Sequence, residues 1–192
     1  YSEADGSYEL YPLPSGNQQF KCSMTGYNDL FEYVDIPLYT ALNHNFAMLA
    51  PAIDLSPGSF LFILGDSETG SENLILTNTG NGTLDWVLEE LDGAPVDVPW
   101  LVADDYDGQL NPFGDSQTLL VTVDASLTPG SKAPGTTYQA GLKFSSPSGI
   151  EPDTVPITLI VTDGGVKGPE NLQVYVVSSN DGKFMLKWLY FT

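Results

Sequence analysis

The chain has 192 residues and a formal net charge of −19, with 25 acidic residues against six basic ones, all of them lysine. A chain this anionic repels phosphate backbones and lacks the Lys and Arg clusters that hold proteins on anionic lipid, so we expect neither nucleic-acid binding nor a membrane-bound state. Hydrophobic residues make up 42% and aromatic residues 11%, which excludes a solvated acidic tail, and no apolar run approaches the length that crosses a bilayer.

Short stretches of alternating apolar and polar residues, separated by turns rich in Gly, Pro, Asn and Ser, run through most of the chain. No long segment has helical spacing free of Pro and Gly. The sequence therefore predicts an all-β protein of consecutive antiparallel Ig-like or prealbumin-like β-sandwiches, with a truncated module at each end. The predicted strands of the first two segments are residues 7–11, 17–24, 31–38, 45–49, 60–64, 73–78, 84–88, 116–125, 136–145 and 154–162.

The first segment spans residues 1–52. It contains ADGSY at 4–8, LPSG at 13–16 and GY at 26–27. These motifs, in this order, resemble the carboxypeptidase regulatory-like (transthyretin-like) domain. The resemblance implies roughly the last two-thirds of such a sandwich, with the opening strands missing.

The single cysteine, Cys22, lies in the first segment at an alternating strand position, where a lone cysteine is usually a small core hydrophobe. A catalytic cysteine needs a histidine partner, and the only histidine is His44. We expect a packed thiol and a solvated imidazole rather than a Cys–His site. No Ser–His–Asp arrangement is indicated either.

The second segment spans residues 53–163. The stretches 76–86 (LTNTGNGTLDW), 99–101, 116–127, 134–146 and 155–162 follow in order the pattern of BACON domains and related Ig-like modules of secreted bacterial proteins. This resemblance implies an Ig-like sandwich outside the cell. Trp86 alternates with Leu84 and Leu88 on one strand face, which predicts a core position. Asn81 opens a glycosylation sequon, but Asn and Gly there are typical of a turn.

The third segment spans residues 164–192 and opens with a Gly-rich linker. A predicted hairpin turning at 179–182 resembles the first two strands of a fibronectin type III domain, with Trp188 at that family's core tryptophan position. A hairpin alone is marginal in water, so we expect it to pack on the preceding module, a partner or the rest of a parent protein.

An acidic, turn-rich loop is the candidate metal site. Asp104, Asp105, Asp107 and Asp115 supply hard oxygen ligands of the kind that suits calcium. The spacing does not match an EF-hand, because Ala103 would stand at its first position. Calcium binding and a simple solvated acidic loop both stay open.

Two aromatic residues are candidates for binding a glycan. Trp100 follows Pro99 and precedes an irregular loop, so it could lie at a rim, and Tyr106 is expected to be the more exposed of the two. Core or edge packing is the commoner fate of such rings, so both alternatives stay open. The acidic neighbours Glu89 and Glu90 point to opposite faces of one strand and therefore cannot form a catalytic pair.

We expect a non-catalytic extracellular spacer or adhesive segment of a large secreted or cell-surface bacterial protein. Its expected partners are neighbouring domains of the same parent chain, and calcium is the one candidate cofactor. One alternative is a carbohydrate-binding accessory module of a secreted polysaccharide-degrading enzyme. Another is a self-assembling surface filament subunit, in which a second copy pairs through exposed edge strands.

Overall fold

A computed structural model describes residues 2–3, 6–93, 96–130 and 132–162, together with 177–178 and 184–185. Strands dominate these ranges, which confirms the predicted all-β class. The elements are β1 (Gly16–Cys22), β2 (Leu30–Ile36), β3 (Ile53–Ser56), β4 (Phe60–Gly65), β5 (Thr69–Asn78), β6 (Leu84–Leu91), β7 (Leu101–Ala103), β8 (Asp107–Leu110), β9 (Asp115–Asp124), the 3-10 turn η1 (Ala125–Leu127), β10 (Thr137–Ser145), β11 (Asp153–Thr162), β12 (Val177–Ser178) and β13 (Phe184–Met185).

Two sheets form a β-sandwich. One has five strands in the order β4-β11-β10-β6-β8, and the other has four in the order β3-β5-β9-β7. Alternate residues of each strand point inward and are buried in one apolar core. Trp86 is 1% exposed and packs on Phe144 with ring centroids 5.9 Å apart, so its predicted core position is confirmed.

One pair of strands departs from the antiparallel prediction. β4 runs parallel to β11, with Phe60 opposite Ile157 and Gly65 opposite Thr162. The short 57–59 connection carries the chain from β3 in the four-stranded sheet to β4 in the five-stranded sheet. β4 therefore lies beside the last sandwich strand and points the same way, which local alternation cannot reveal.

The predicted strand positions need three further corrections. Residues 99–114 were predicted to be turn-rich and no strand was predicted there, but β7 and β8 lie in this stretch and are too short for alternation to stand out. β3 was not predicted. The stretches 7–11 and 45–49 are not paired as strands, although side chains at 44, 46, 48 and 50 are alternately half-buried.

The first segment is built on a two-stranded antiparallel ribbon of β1 and β2, in register from Gly16 opposite Ile36 to Cys22 opposite Leu30. Its inner face carries Phe20, whose ring lies 5.7 Å from that of Phe46. This small cluster, rather than a second full sandwich, is what the described residues of this segment form.

The third segment is described only at β12 and β13, which pair as Val177 with Met185 and Ser178 with Phe184. This pairing agrees with the predicted hairpin. The rest of 164–192, including Trp188, lies outside the described residues.

Candidate functional site

The turn at residues 78–82, here called the junction turn, is organised by one buried side chain. Asn78 is 0% exposed. Its Nδ2 donates to the carbonyl oxygens of Gly82 at 2.8 Å and Asn111 at 3.0 Å. Its Oδ1 accepts from the backbone N–H groups of Gly80 at 3.1 Å and Ala52 at 3.2 Å. One amide therefore joins three stretches of chain, since a buried polar group must find partners and here finds them all in backbone.

The segment at residues 49–52 lies directly against the junction turn. Ala50 donates its N–H to Asn81 Oδ1 at 2.8 Å, and its carbonyl oxygen accepts from the N–H groups of Asn81 and Gly82, both at 3.0 Å. The N–H of Thr79 donates to the carbonyl oxygen of Ala52 at 3.0 Å. The end of the first segment is thus hydrogen-bonded to the sandwich through backbone groups instead of being joined by a free linker.

The glycines of the junction turn allow this close approach. A Cβ at Gly80 would lie 2.3 Å from the carbonyl oxygen of Ala50, and a Cβ at Gly82 would lie 2.9 Å from the backbone of Leu49. Neither distance is compatible with a side chain. The turn was correctly predicted from Asn and Gly, but these two glycines are required because another segment approaches.

The ribbon also contacts the sandwich through the loop between β1 and β2. Asn28 donates from Nδ2 to the carbonyl oxygen of Thr83 at 2.9 Å, while its backbone N–H donates to the carbonyl oxygen of Leu49 within the first segment at 2.8 Å. The N–H of Gly26 donates to the carbonyl oxygen of Ser148 at 2.6 Å. The first segment is therefore attached to the sandwich at three separate places, which is the geometry of a stiff junction.

Trp100, one of the two candidate glycan-binding residues, is not at an exposed rim. Its side chain is 3% exposed and belongs to the sandwich core, with its ring 6.2 Å from that of Tyr138. Of the two alternatives left open for this ring, the structure has core packing. The N–H of Asp124 on β9 donates to the Trp100 carbonyl oxygen, which holds this irregular stretch against the sheet.

Tyr106, the second candidate, is 40% exposed, but its hydroxyl group is already bonded. It donates to Glu90 Oε1 and accepts from the N–H of Ala103 at 3.2 Å. Glu90 is 7% exposed, and its Oε2 accepts from the N–H of Val98 at 2.7 Å. The buried carboxylate thus fixes the 96–106 stretch, and the Tyr106 hydroxyl is occupied within the fold.

The opposite orientations predicted for Glu89 and Glu90 are confirmed. Glu89 points outward and forms an ion pair with Lys143, Nζ to Oε2 2.9 Å, whereas Glu90 points into the core side. Glu90 shares the inward face of β6 with Leu84, Trp86 and Leu88. Alternation alone could have identified Glu90 as a buried, structurally important carboxylate.

Burial raises the pKa of Tyr106 to about 12, and the hydrogen bond to Glu90 adds to the increase. At a solution pH above the usual tyrosine pKa of 10.0, the folded protein therefore retains the Tyr106 phenol proton, whereas the unfolded chain loses it. We expect this group to lower the free energy of unfolding as the pH rises from about 10 to about 12, since the unfolded state then binds fewer protons. Unfolding measured against pH should show a smaller decline in Tyr106→Phe, and an identical decline in both proteins would contradict the assignment.

The four candidate calcium ligands do not lie together around one point in the structure. Asp104 Oδ1 accepts from the N–H of Leu120 at 2.8 Å, and Asp105 Oδ2 accepts from Gln117 Nε2 at 2.9 Å. Asp115 Oδ2 accepts from the N–H of Asn111 at 2.8 Å, while Asp107 begins β8 on the other sheet. Within the described ranges, no three His, Cys, Asp or Glu side chains are grouped to hold a metal. These carboxylates orient loops, and calcium at this loop stays a prediction without geometric support.

Cys22 and His44 lie on the same side of the ribbon but do not form a nucleophile pair. His44 Nε2 lies 2.9 Å from Glu32 Oε1, so the imidazole is paired rather than solvated as expected. Burial raises the pKa of the Cys22 thiol, and the charge of Glu32 raises it further. This environment keeps the thiol protonated and disfavours nucleophilic chemistry.

Two shallow depressions open on the sandwich surface. One of about 470 Å³ is lined by Glu89, Glu90, Val96, Asp97 and Tyr106. The other, of about 390 Å³, is lined by Asp92, Trp100, Pro129, Thr137, Tyr138 and Gln139. The first is acidic, and the second combines aromatic and polar side chains.

No helix among the described residues is long and apolar enough to span a membrane.

No protein-family model matches the chain, and no curated protein is similar to it in sequence. Among solved structures, an ASH/PapD-like domain of human CEP192 is similar, with 13% identity, a TM-score of 0.44, and coverage of 67% of this chain and 100% of that one. The periplasmic chaperone SfaE has 12% identity and a TM-score of 0.44 over 62% of each chain. The E. coli chaperone DraB has 16% identity and a TM-score of 0.39, covering 58% of this chain and 54% of that one. These similarities concern the β-sandwich fold alone.

Proposed function

We propose that this chain is a non-catalytic structural segment that holds neighbouring parts of a larger secreted or cell-surface bacterial protein at a fixed relative orientation. The observation that supports the proposal is the direct hydrogen bonding of the 49–52 segment to the junction turn. A spacer transmits position only if its modules do not swivel, and free Gly- or Ser-rich linkers allow swivelling. The connection between the first segment and the sandwich is hydrogen-bonded in this way and has no free linker.

The strength of the junction follows from its polar contacts. Each of its backbone and amide hydrogen bonds contributes about 1 kcal/mol net to the stability of the folded state, and leaving a buried donor or acceptor without its partner costs more. Asn78 couples these bonds to one another. Its single side chain is hydrogen-bonded to Ala52 of the first segment and to Gly80 and Gly82 of the junction turn, so the contacts form and break together. Hinge motion would have to break several of these bonds at once.

The charge of the chain fits the same role. A net charge of −19 keeps a protein soluble and monomeric at high local concentration and repels anionic neighbours. An extended extracellular segment benefits from both effects. The location outside the cell is part of the proposal and is supported by the resemblances to secreted bacterial modules.

Residual dipolar couplings measured by NMR on the full chain test the stiffness of the junction. We expect amides of the β1–β2 ribbon and of the sandwich to fit one alignment tensor. Gly82→Ala should give two different tensors, because its Cβ would push the Leu49 backbone away from the turn. Gly58→Ala is the matched control, since no atom lies within 4 Å of its Cβ position. Two independent tensors in the unmodified chain would overturn the spacer proposal.

A binding experiment with the unmodified chain and one further variant, Tyr138→Ala, distinguishes the spacer from a glycan-binding module. The depression beside Trp100 and Tyr138 is the specific observation that favours the alternative. A spacer should not be retained on insoluble cellulose, xylan or chitin. Retention that disappears in Tyr138→Ala while the alignment tensor is unchanged would favour glycan binding at that depression.

A further inference from the structure

The pair Asn81–Gly82 in the junction turn has a chemical property that the spacer role does not use. Asparagine followed by glycine is especially prone to form a succinimide, because glycine has no side chain to hinder attack by its backbone nitrogen. The sequence contains this pair only once. Gly82 cannot be replaced by a less reactive neighbour, since a Cβ there would lie 2.9 Å from the Leu49 backbone. The close approach of two segments therefore requires a chemically reactive pair at this position.

The reaction needs two groups of this pair and, as co-reactant, only water. The backbone nitrogen of Gly82 loses its proton and attacks Cγ of the Asn81 side chain. A C–N bond forms, and the side-chain nitrogen takes up a proton and leaves as ammonia. Water then opens the succinimide at either carbonyl. The products are aspartate, with an unchanged backbone, and isoaspartate, in which the backbone passes through the former side chain.

In the folded protein, both reacting groups are hydrogen-bonded to a single residue of the first segment, Ala50. The N–H of Gly82 donates to the Ala50 carbonyl oxygen at 3.0 Å, and Asn81 Oδ1 accepts from the Ala50 N–H at 2.8 Å. Asn81 is exposed to solvent, whereas Gly82 is buried. A buried, hydrogen-bonded amide loses its proton only after local opening of the structure. Water therefore reaches the site, but the attacking nitrogen is held in place until Ala50 moves away.

We propose that Asn81 is a self-modification site gated by the junction: it is converted to aspartate and isoaspartate at a rate set by how often the 49–52 segment leaves the junction turn. Isoaspartate lengthens the backbone between the N–H groups of residues 81 and 82, both of which donate to the Ala50 carbonyl oxygen. The two bonds cannot then be kept together. Each conversion to isoaspartate is irreversible and weakens the junction.

Incubation of the full chain in mildly alkaline buffer, with and without concentrated guanidinium chloride, tests the gating. Peptide mass spectrometry follows the conversion of the Asn81 amide to an acid. We expect the folded chain to react at least about tenfold more slowly than the unfolded chain, because only the small open fraction is reactive. Asn81→Gln should stay unmodified in both conditions, since glutamine would have to close a larger ring. Equal rates in the two conditions would overturn the proposal, and together with a single alignment tensor they would leave the spacer proposal intact.

A variant that opens the junction without changing the reactive pair gives the sharper test. A Cβ at Gly80 would lie 2.3 Å from the Ala50 carbonyl oxygen, so Gly80→Ala should bring the rate without denaturant close to that of the unfolded chain. Hydrogen exchange of the Gly82 amide, measured by NMR, should accelerate by the same factor, because both processes need this N–H released. Gly58→Ala is the matched control and should change neither rate, since no atom lies within 4 Å of its Cβ position.

Asn28→Ala is a milder variant that creates no collision and keeps the test decisive if Gly80→Ala does not fold. It removes the hydrogen bond to the Thr83 carbonyl oxygen next to the reactive pair. We expect it to accelerate both the modification of Asn81 and the exchange of the Gly82 amide about fivefold. Modification and exchange that change independently of each other in these variants would overturn the gating.

The purified isoaspartate form tests the consequence of the reaction. The N–H of Thr79 donates to the Ala52 carbonyl oxygen at 3.0 Å, so its hydrogen exchange reports contact between the two segments. Exchange of this amide should be faster in the isoaspartate form than in the unmodified chain. Asn81→Asp is the matched control, because it has the same charge and an ordinary backbone. Equal exchange in the isoaspartate form and in Asn81→Asp would show that the reaction does not weaken the junction.

Discussion

Replacing Asn78 by alanine should lower the free energy of unfolding by about 3 kcal/mol or more, because several buried backbone groups would lose their partner together. The N–H groups of Ala52 and Gly80 lose an acceptor, and the carbonyl oxygens of Gly82 and Asn111 lose a donor. The Asn78 side chain itself is fully buried, so solvent cannot readily take the place of its amide. Urea unfolding of the full chain measures the change.

Two comparison variants make this prediction specific. Asn73→Ala removes an exposed asparagine from the same strand, β5, and should change the free energy of unfolding by less than about 0.5 kcal/mol. Asn78→Asp keeps the shape and the acceptor but loses the amide donor, and should also destabilise the protein strongly. If Asn78→Ala were as mild as Asn73→Ala, the central role given to Asn78 would be wrong.

Gly108→Ala is expected to destabilise the sandwich by about 3 kcal/mol, because the added methyl group has no space. Gly108 lies opposite Trp86 in the pairing of β6 with β8. Its Cβ would come within 2.9 Å of the indole Cζ2 and Nε1 atoms. The ring is 1% exposed and packed against Phe144, so it cannot move aside without disturbing the core. Thermal unfolding followed by circular dichroism gives the measurement.

A second substitution shows whether the collision is the cause. Trp86→Phe in the Gly108→Ala background shortens the ring and should recover part of the lost stability relative to the sum of the single changes. Gly58→Ala, whose added Cβ meets no atom within 4 Å, controls for the loss of glycine's conformational freedom without a collision. Simple additivity of the Trp86 and Gly108 changes would rule out the collision.

Sequence alternation predicted the parts of this protein that depend on neighbours along one strand. The burial of Leu84, Trp86 and Leu88 and the divergence of Glu89 from Glu90 follow from the two-residue period of a strand. The same rule would have identified Glu90 as buried. The all-β class came from the accumulation of many such short patterns separated by turn residues.

The candidate site residues were harder to predict because exposure depends on what distant segments cover. The sequence left both a rim and a core position open for Trp100, and a backbone hydrogen bond from Asp124 holds it in the core. Tyr106 is exposed as expected, but its hydroxyl group is bonded to Glu90, which is far along the chain. The carboxylates of Asp104, Asp105 and Asp115 are directed to different backbone or amide groups, and Asp107 begins β8 on the other sheet.

The sequence by itself determined the strand-rich class, the acidic surface and the inward-facing side chains of regularly alternating strands such as β6, because these properties are set by composition and by a period of two residues. Only the tertiary structure decided that β4 runs parallel to β11, that Asn78 joins three stretches of chain, and that Gly80 and Gly82 must be glycine. These features arise where segments far apart in sequence approach closely. No local pattern encodes such an approach, since the partner of each group is chosen by the packing of the whole sandwich.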